Sequence, residues 1–274
     1  MVKKWLVKFR LYWRRRFGVM PMRDSLRPVA AWFGEPLGQQ LLLEEQRVAD
    51  EQLNNIFGYY LLQLGVTGSR CLILENRISN KFVLHPITCV GCHPSALTDF
   101  NHLPLPPQTI DVVVLHHTLD YSQSPHHLLR EATNTVIPNG HILIVGFNPV
   151  SFLGLYRWLI RWIKPQPQWR HNSLGVGRIK DWLAVLDFAP VEVAYAYYQW
   201  PFLSDRFRPY SLWFNKFMRK LGMPLGGVYL ILAKNETFAM TPTKPQWQGY
   251  AGLRGWGVTK ILGRAGRHGT QSKV

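Results

Sequence analysis

The chain reads as an α/β protein built on a mostly parallel sheet, and three observations predict that class. Ile110-Asp111-Val112-Val113-Val114-Leu115 is a nearly continuous apolar run, as expected of a strand covered on both faces. A helical segment follows around Leu128-Leu129-Arg130-Glu131-Ala132. A second apolar strand then runs from His141 to Phe147. Strand, turn, helix, strand is the repeating unit of a buried parallel sheet. Open sheets of this kind bind ligands beyond the carboxyl ends of their strands. Functional residues are therefore expected at Asp99, at His116 to Asp120 and after Phe147.

In chain order, residues 1–34 form a basic, aromatic extension. On a helical wheel Trp5, Leu6, Phe9, Tyr12, Trp13 and Phe17 share a face opposite Lys3, Lys4, Lys8, Arg14 and Arg15. That pattern suits an anionic membrane surface or packing on the domain itself. The domain proper is expected over residues 35–235. Within it, Leu37 to Tyr60 has helical periodicity through Leu41, Glu44-Glu45, Val48, Leu53, Ile56 and Phe57. Tyr59 to Leu64 is predicted as the first core strand, followed by the turn Gly65-Val66-Thr67-Gly68-Ser69, a short helical segment and a second strand at Lys81 to Leu84. Ile179 to Leu186 reads as a helix, and Val191 to Tyr198 and Val228 to Ala233 as strands. Residues 236–274 carry Pro242, Pro245 and many glycines with few periodic apolar positions, which predicts a loose basic tail.

With 274 residues, 47% of them hydrophobic, the chain can bury a sizeable core. Thirty-two Lys and Arg stand against 16 Asp and Glu, a formal charge of +16. This excess favours RNA, anionic lipid headgroups or acidic partners. No charge-free apolar run is long enough to span a membrane. Lys8, Arg10 and Arg14 to Arg16 interrupt any secretory signal. A cytoplasmic location is expected, with peripheral contact at the inner face of the membrane as an option and the three cysteines reduced.

The stretch Asp99-Phe100-Asn101-His102-Leu103-Pro104-Leu105-Pro106, with Ile110 to Asp120, Leu128 to Ala132 and Ile137-Pro138-Asn139-Gly140-His141-Ile142-Leu143-Ile144, resembles the middle of a class I S-adenosylmethionine-dependent methyltransferase. The resemblance is closest to the branch that includes ubiquinone, menaquinone and sterol methyltransferases. It is strong from Asp99 to Ile144, with weaker echoes from Gly58 to Lys234. It implies a Rossmann-like, seven-stranded, mostly parallel sheet with helices on both faces, S-adenosylmethionine as cofactor, and methyl transfer as the activity.

The family's first β-α turn carries an acid and three glycines, which let the backbone approach the ligand closely. Here the run is Gln63-Leu64-Gly65-Val66-Thr67-Gly68-Ser69. Gly65 keeps the pattern, Gln63 replaces the acid, and Gly68 compensates by a local shift. At the end of the second strand, where the family places a ribose-binding acid, this chain has His85-Pro86, and a neutral imidazole can accept one hydrogen bond. Asp99 matches the acid that accepts from the adenine amino group, with Phe100 or His102 flanking the ring. His116 falls where the family borders the methionine part of the cofactor. If the acceptor is a hydroxyl or an amine, His117 or Asp120 is a candidate base; otherwise both simply cap the following loop and helix.

Cys89-Val90-Gly91-Cys92-His93 matches the pattern of covalent haem attachment, and zinc is a second option for it. Without an export signal or a second ligand pair, an ordinary loop without metal is expected. Val150 to Lys164 is too apolar for a simple exposed helix and reads as a lid over the acceptor or a membrane-contacting element. Phe202 to Leu221 interleaves Arg and Lys with aromatics, a pattern that also suits single-stranded RNA. The leading expectation is a methyltransferase for a small or lipid-like acceptor. An RNA methyltransferase and a non-catalytic binding module on the same fold are the alternatives.

Overall fold

A computed structural model describes residues 20–67, 72–73, 77–87, 94–163, 170–198, 217–218 and 223–237. All of them belong to one compact unit, Met1–Phe238. The wheel face of residues 5–17, the short segment expected after the first strand, Gly68, the Cys89-Cys92-His93 cluster, nearly all of residues 202–221 and residues 238–274 lie outside the described residues.

The order along the chain is α1 (Met22–Phe33), α2 (Pro36–Leu53), β1 (Phe57–Gly65), β2 (Arg77–His85), β3 (Ala96–Leu97), β4 (Ile110–His116), α3 (Thr118–Tyr121), α4 (Pro125–Asn134), β5 (Val136–Phe147), α5 (Phe152–Ile163), α6 (Val176–Val185), β6 (Phe188–Ala196) and β7 (Val228–Asn235). One seven-stranded sheet runs β3-β2-β1-β4-β5-β7-β6. All its pairs are parallel except those of β7, which lies antiparallel to both β5 and β6.

Alternation along the strands divides the core into two layers. Leu61, Val112, Val114, Leu143 and Val145 face one layer with α1 and α2. Leu62, Leu64, Val113, Leu115, Ile142 and Ile144 face the other, with α4 and α6. Period-two side chains on strands buried on both faces produce the continuous apolar runs seen in the sequence.

Several expected boundaries shift. The helix expected over Leu37–Tyr60 stops at Leu53, and residues from Phe57 onward already belong to β1. Asp111 of β4 holds this start: its Oδ2 accepts the amides of Tyr59 and Tyr60 at 3.0 and 2.9 Å. β5 begins at Val136 and not His141, because Asn139 takes a left-handed φ of 62° and carries the strand through Pro138-Asn139-Gly140. Residues 22–33, assigned above to the extension, form a helix whose Leu26, Val29, Trp32 and Phe33 lie in the core. Their i, i+3, i+7 spacing puts one stripe on the sheet.

Gly146 of β5 sits opposite Tyr229 of β7. A Cβ there would lie 2.6 Å from Tyr229 Cζ. Gly146→Ala is therefore expected to cost about 1–3 kcal/mol by overpacking. Thermal denaturation checks this, and a paired Tyr229→Leu change should recover part of the loss.

Candidate active site

The strand order reverses between β1 and β4, which places the crevice of this sheet at their carboxyl ends. There Gly65 pairs with His116. Directly after it, His117 adopts a left-handed φ of 53° and turns the chain into α3. Non-glycine residues seldom take that conformation, and here the turn drives both imidazoles into the protein.

The histidines meet Glu45, which α2 brings across the sheet end. His116 Nε2 lies 2.9 Å from Glu45 Oε2, and His117 Nε2 lies 2.9 Å from Glu45 Oε1. Asp120 Oδ2 is 3.0 Å from His117 Nδ1 and accepts the Phe147 amide at 3.0 Å. Thr67 Oγ1 is 3.3 Å from His116 Nδ1. Glu45, His116, His117 and Asp120 are all fully buried. Phe33 lies 5.7 Å from each imidazole, and Phe147 stacks on His117 at 4.1 Å. The ligand-type atoms of Glu45, His116 and His117 lie within 4.8 Å of one another, a group able to hold a metal ion.

Burial alone would raise the Glu45 carboxyl, but the His117 charge and hydrogen bonds from both imidazoles outweigh it and bring it down to about 2. Burial likewise opposes a charged His117, yet the Glu45 charge and the Asp120 hydrogen bond prevail and lift it to about 9. His116 ends below its ordinary value because burial outweighs its bond to Glu45. The sign of the pH dependence follows. Stability from Glu45 is complete above pH 4.5 and is lost as pH falls toward about 2. Stability from His117 is complete below pH 6.5 and is lost as pH rises through about 9. Chelator-treated chain should therefore melt highest between those limits. A melting temperature that climbs from pH 6.5 to 9 would contradict this charge assignment.

The remaining residues singled out in the sequence fall into two places. Gln63 is buried at the β1 end, where its Oε1 accepts the Leu72 amide at 2.6 Å and so ties the strand to the chain beyond the turn. His85 is buried too, with Nδ1 against Ile87 and Nε2 3.3 Å from the Val66 carbonyl. Its ring faces backbone and does not border the cavity described next. Asp99 and Phe100, by contrast, line a cavity of about 620 Å³ at the carboxyl edge of β2 and β3, together with Pro86 and His102. Asp99 Oδ1 accepts from the Asn101 backbone and side chain at 3.1 and 3.0 Å. The start of α1 closes one side of this cavity and contributes Asp24, its other carboxylate. His116, His117 and Asp120 do not line it.

Sequence reasoning missed Glu45, Thr67 and Asp24. Glu45 is an acidic residue on the face of α2 otherwise occupied by Leu41, Val48 and Ala49, a mismatch visible in the sequence. Nothing local to Asp24 signals its place at the cavity.

The strand order and the crevice at the carboxyl ends of β1 and β4 are those of a Rossmann-like α/β fold of the methyltransferase type. Residues 79–144 match the family model for a methyltransferase domain. The fold is similar to a Thermotoga maritima S-adenosylmethionine-dependent methyltransferase, described as a possible histamine N-methyltransferase. The TM-score is 0.54 at 15% identity over 75% of this chain and 93% of that one. It is also similar to a chain of the Haloferax volcanii complex between the Trm112 methyltransferase activator and a putative methyltransferase (TM-score 0.58, 15% identity, 79% of this chain and 98% of that one). In the sequence of its central segment and in its fold the chain is thus similar to class I S-adenosylmethionine-dependent methyltransferases. Among curated proteins it is similar to the uncharacterized protein YafS of Escherichia coli (strain K12), 28% identical over 212 residues, 77% of this chain and 82% of the relative.

Proposed function

We propose that the chain methylates a small, lipid-like acceptor, with the adenosine end of S-adenosylmethionine in the cavity beside Asp99. One observation carries the acceptor class. α5 follows the carboxyl end of β5 and buries Leu153, yet it leaves Leu155 60% and Leu159 53% exposed. Val150, just before it, is exposed as well. Contiguous exposed apolar side chains beside a crevice suit an apolar ligand or a membrane surface. Among the described residues no helix is long and apolar enough to cross a membrane, and peripheral contact by this face is consistent with that.

The cavity residues fit the cofactor's adenosine end. Asp99 is the acceptor for the adenine amino group, with Phe100 and His102 bordering the ring. Asp24 of α1 takes the ribose hydroxyls, the role that His85 cannot serve while its ring faces backbone. S-adenosylmethionine supplies an electrophilic methyl group, and the chain's task is to hold acceptor and donor in line and keep water out. Buried and hydrogen-bonded to one another, His117 and Asp120 hold the end of β4 as positioning residues.

The test is transfer of radiolabelled methyl groups from S-adenosylmethionine in membrane extract and in total RNA. Label in the organic phase supports the reading. Label confined to RNA, for which the +16 charge is the argument, would replace the lipid-like acceptor with a nucleic acid.

A further inference from the structure

The Glu45 cluster has features that an ordinary buried ion pair does not need. Both histidines turn the same atom, Nε2, toward one carboxylate. Both are held from behind at the other nitrogen: His117 by the Asp120 carboxylate, His116 by the Thr67 hydroxyl. Metal-bound imidazoles are oriented in this way, with one ring nitrogen on the ion and the second fixed by a carboxylate or other polar group. Two carboxylates are sunk here, and among the described residues neither is paired with a Lys or Arg. Asp120 Oδ1 is buried without a hydrogen-bond partner among the described residues. A doubly charged cation that displaces the His117 proton and is held by two neutral imidazoles would balance both carboxylates.

The spacing also suits an ion. Tetrahedral zinc with bonds near 2.0–2.1 Å keeps its donor atoms about 3.3 Å apart. Each nitrogen stands 2.9 Å from a Glu45 oxygen, and the three ligand-type atoms lie within 4.8 Å of one another, so side-chain adjustment brings them to that spacing. Two imidazoles and a carboxylate form a donor set that suits zinc-class ions better than magnesium or calcium. Phe33 and Phe147 supply apolar walls.

We propose that Glu45, His116 and His117 bind one zinc-class divalent ion that fastens α2 to the carboxyl end of β4, with Asp120 and Thr67 orienting the two imidazoles. Among the described residues no further His, Cys, Asp or Glu atom joins this group, so the fourth position falls to a small exogenous ligand such as water. The site stands apart from the choice of acceptor and from the cavity beside Asp99.

The experiment uses the full chain purified without chelator. Elemental analysis is expected to find one zinc per chain, and X-ray absorption at the zinc edge a nitrogen and oxygen shell with imidazole scattering. After chelation, added Co²⁺ should give rise to visible d–d absorption, which Zn²⁺ with its filled d shell lacks. Glu45→Gln should abolish that signal, and Asp120→Asn should weaken Co²⁺ affinity roughly 10–100-fold, as removal of an orienting partner does. Unchanged circular dichroism and a cooperative thermal transition would show that these variants fold. Should Glu45→Gln fail to fold, the absorption spectrum of the unaltered chain decides. A chain that takes up neither Zn²⁺ nor Co²⁺ at micromolar concentration overturns the proposal. So does a sulfur shell, which would move the ion to Cys89, Cys92 and His93.

Discussion

Replacing Glu45 by alanine is expected to destabilise the metal-free chain by about 3–5 kcal/mol, the usual cost of removing one partner from a buried ionic cluster. Glu45 is the only described carboxylate that touches both imidazoles, at 2.9 Å each. Its loss leaves two imidazole N–H groups facing a dry space beside Phe33 and removes the main partner of a cationic His117. His117 should then titrate nearer the ordinary imidazole range, and the alkaline fall in stability should begin at lower pH. In a domain of this size the melting temperature should drop on the order of 10 °C. A shift of a degree or two, with an unaltered pH profile, would mean that the cluster contributes little to holding α2 on the sheet. Glu45→Gln retains one acceptor and one donor, so its loss should be smaller.

Asp99→Ala is expected to weaken S-adenosylmethionine binding about 10–100-fold while leaving the melting temperature of the free chain nearly unchanged. A hydrogen bond to a charged group contributes about 1.5–3 kcal/mol, which is that range of affinity. The two effects separate because Asp99 is exposed at the cavity and, among the described residues, its carboxylate bonds only to the neighbouring Asn101. Asp24→Ala should weaken binding as well, and His85→Ala should lower stability more than affinity, since its ring bridges backbone at Ile87 and Val66. Isothermal titration of the variants decides. Equal affinity in Asp99→Ala and the unaltered chain would place the adenine elsewhere.

Much of the fold was legible because buried parallel strands write themselves as uninterrupted apolar runs. β4 and β7 have that form, and both were located almost to the residue. β3 was not, since two residues paired to Leu84 and His85 have no periodicity to display. The end of α2 was overrun because Ile56 and Phe57 continue its apolar spacing. The strand there is held by Asp111, more than fifty positions away. Asp99 and Phe100 were singled out by a local motif, and the structure puts both on the wall of a cavity.

His116, His117 and Asp120 were noticed for their chemistry, but their surroundings were invisible. By itself the sequence determined the class of sheet, the strands that fill its centre and the loop with the cavity-lining carboxylate, because these depend on contacts between near neighbours. Only the tertiary structure decided what the paired histidines face. Glu45 lies 71 and 72 positions before them, and helix packing across the sheet, not chain spacing, sets it 2.9 Å from each ring.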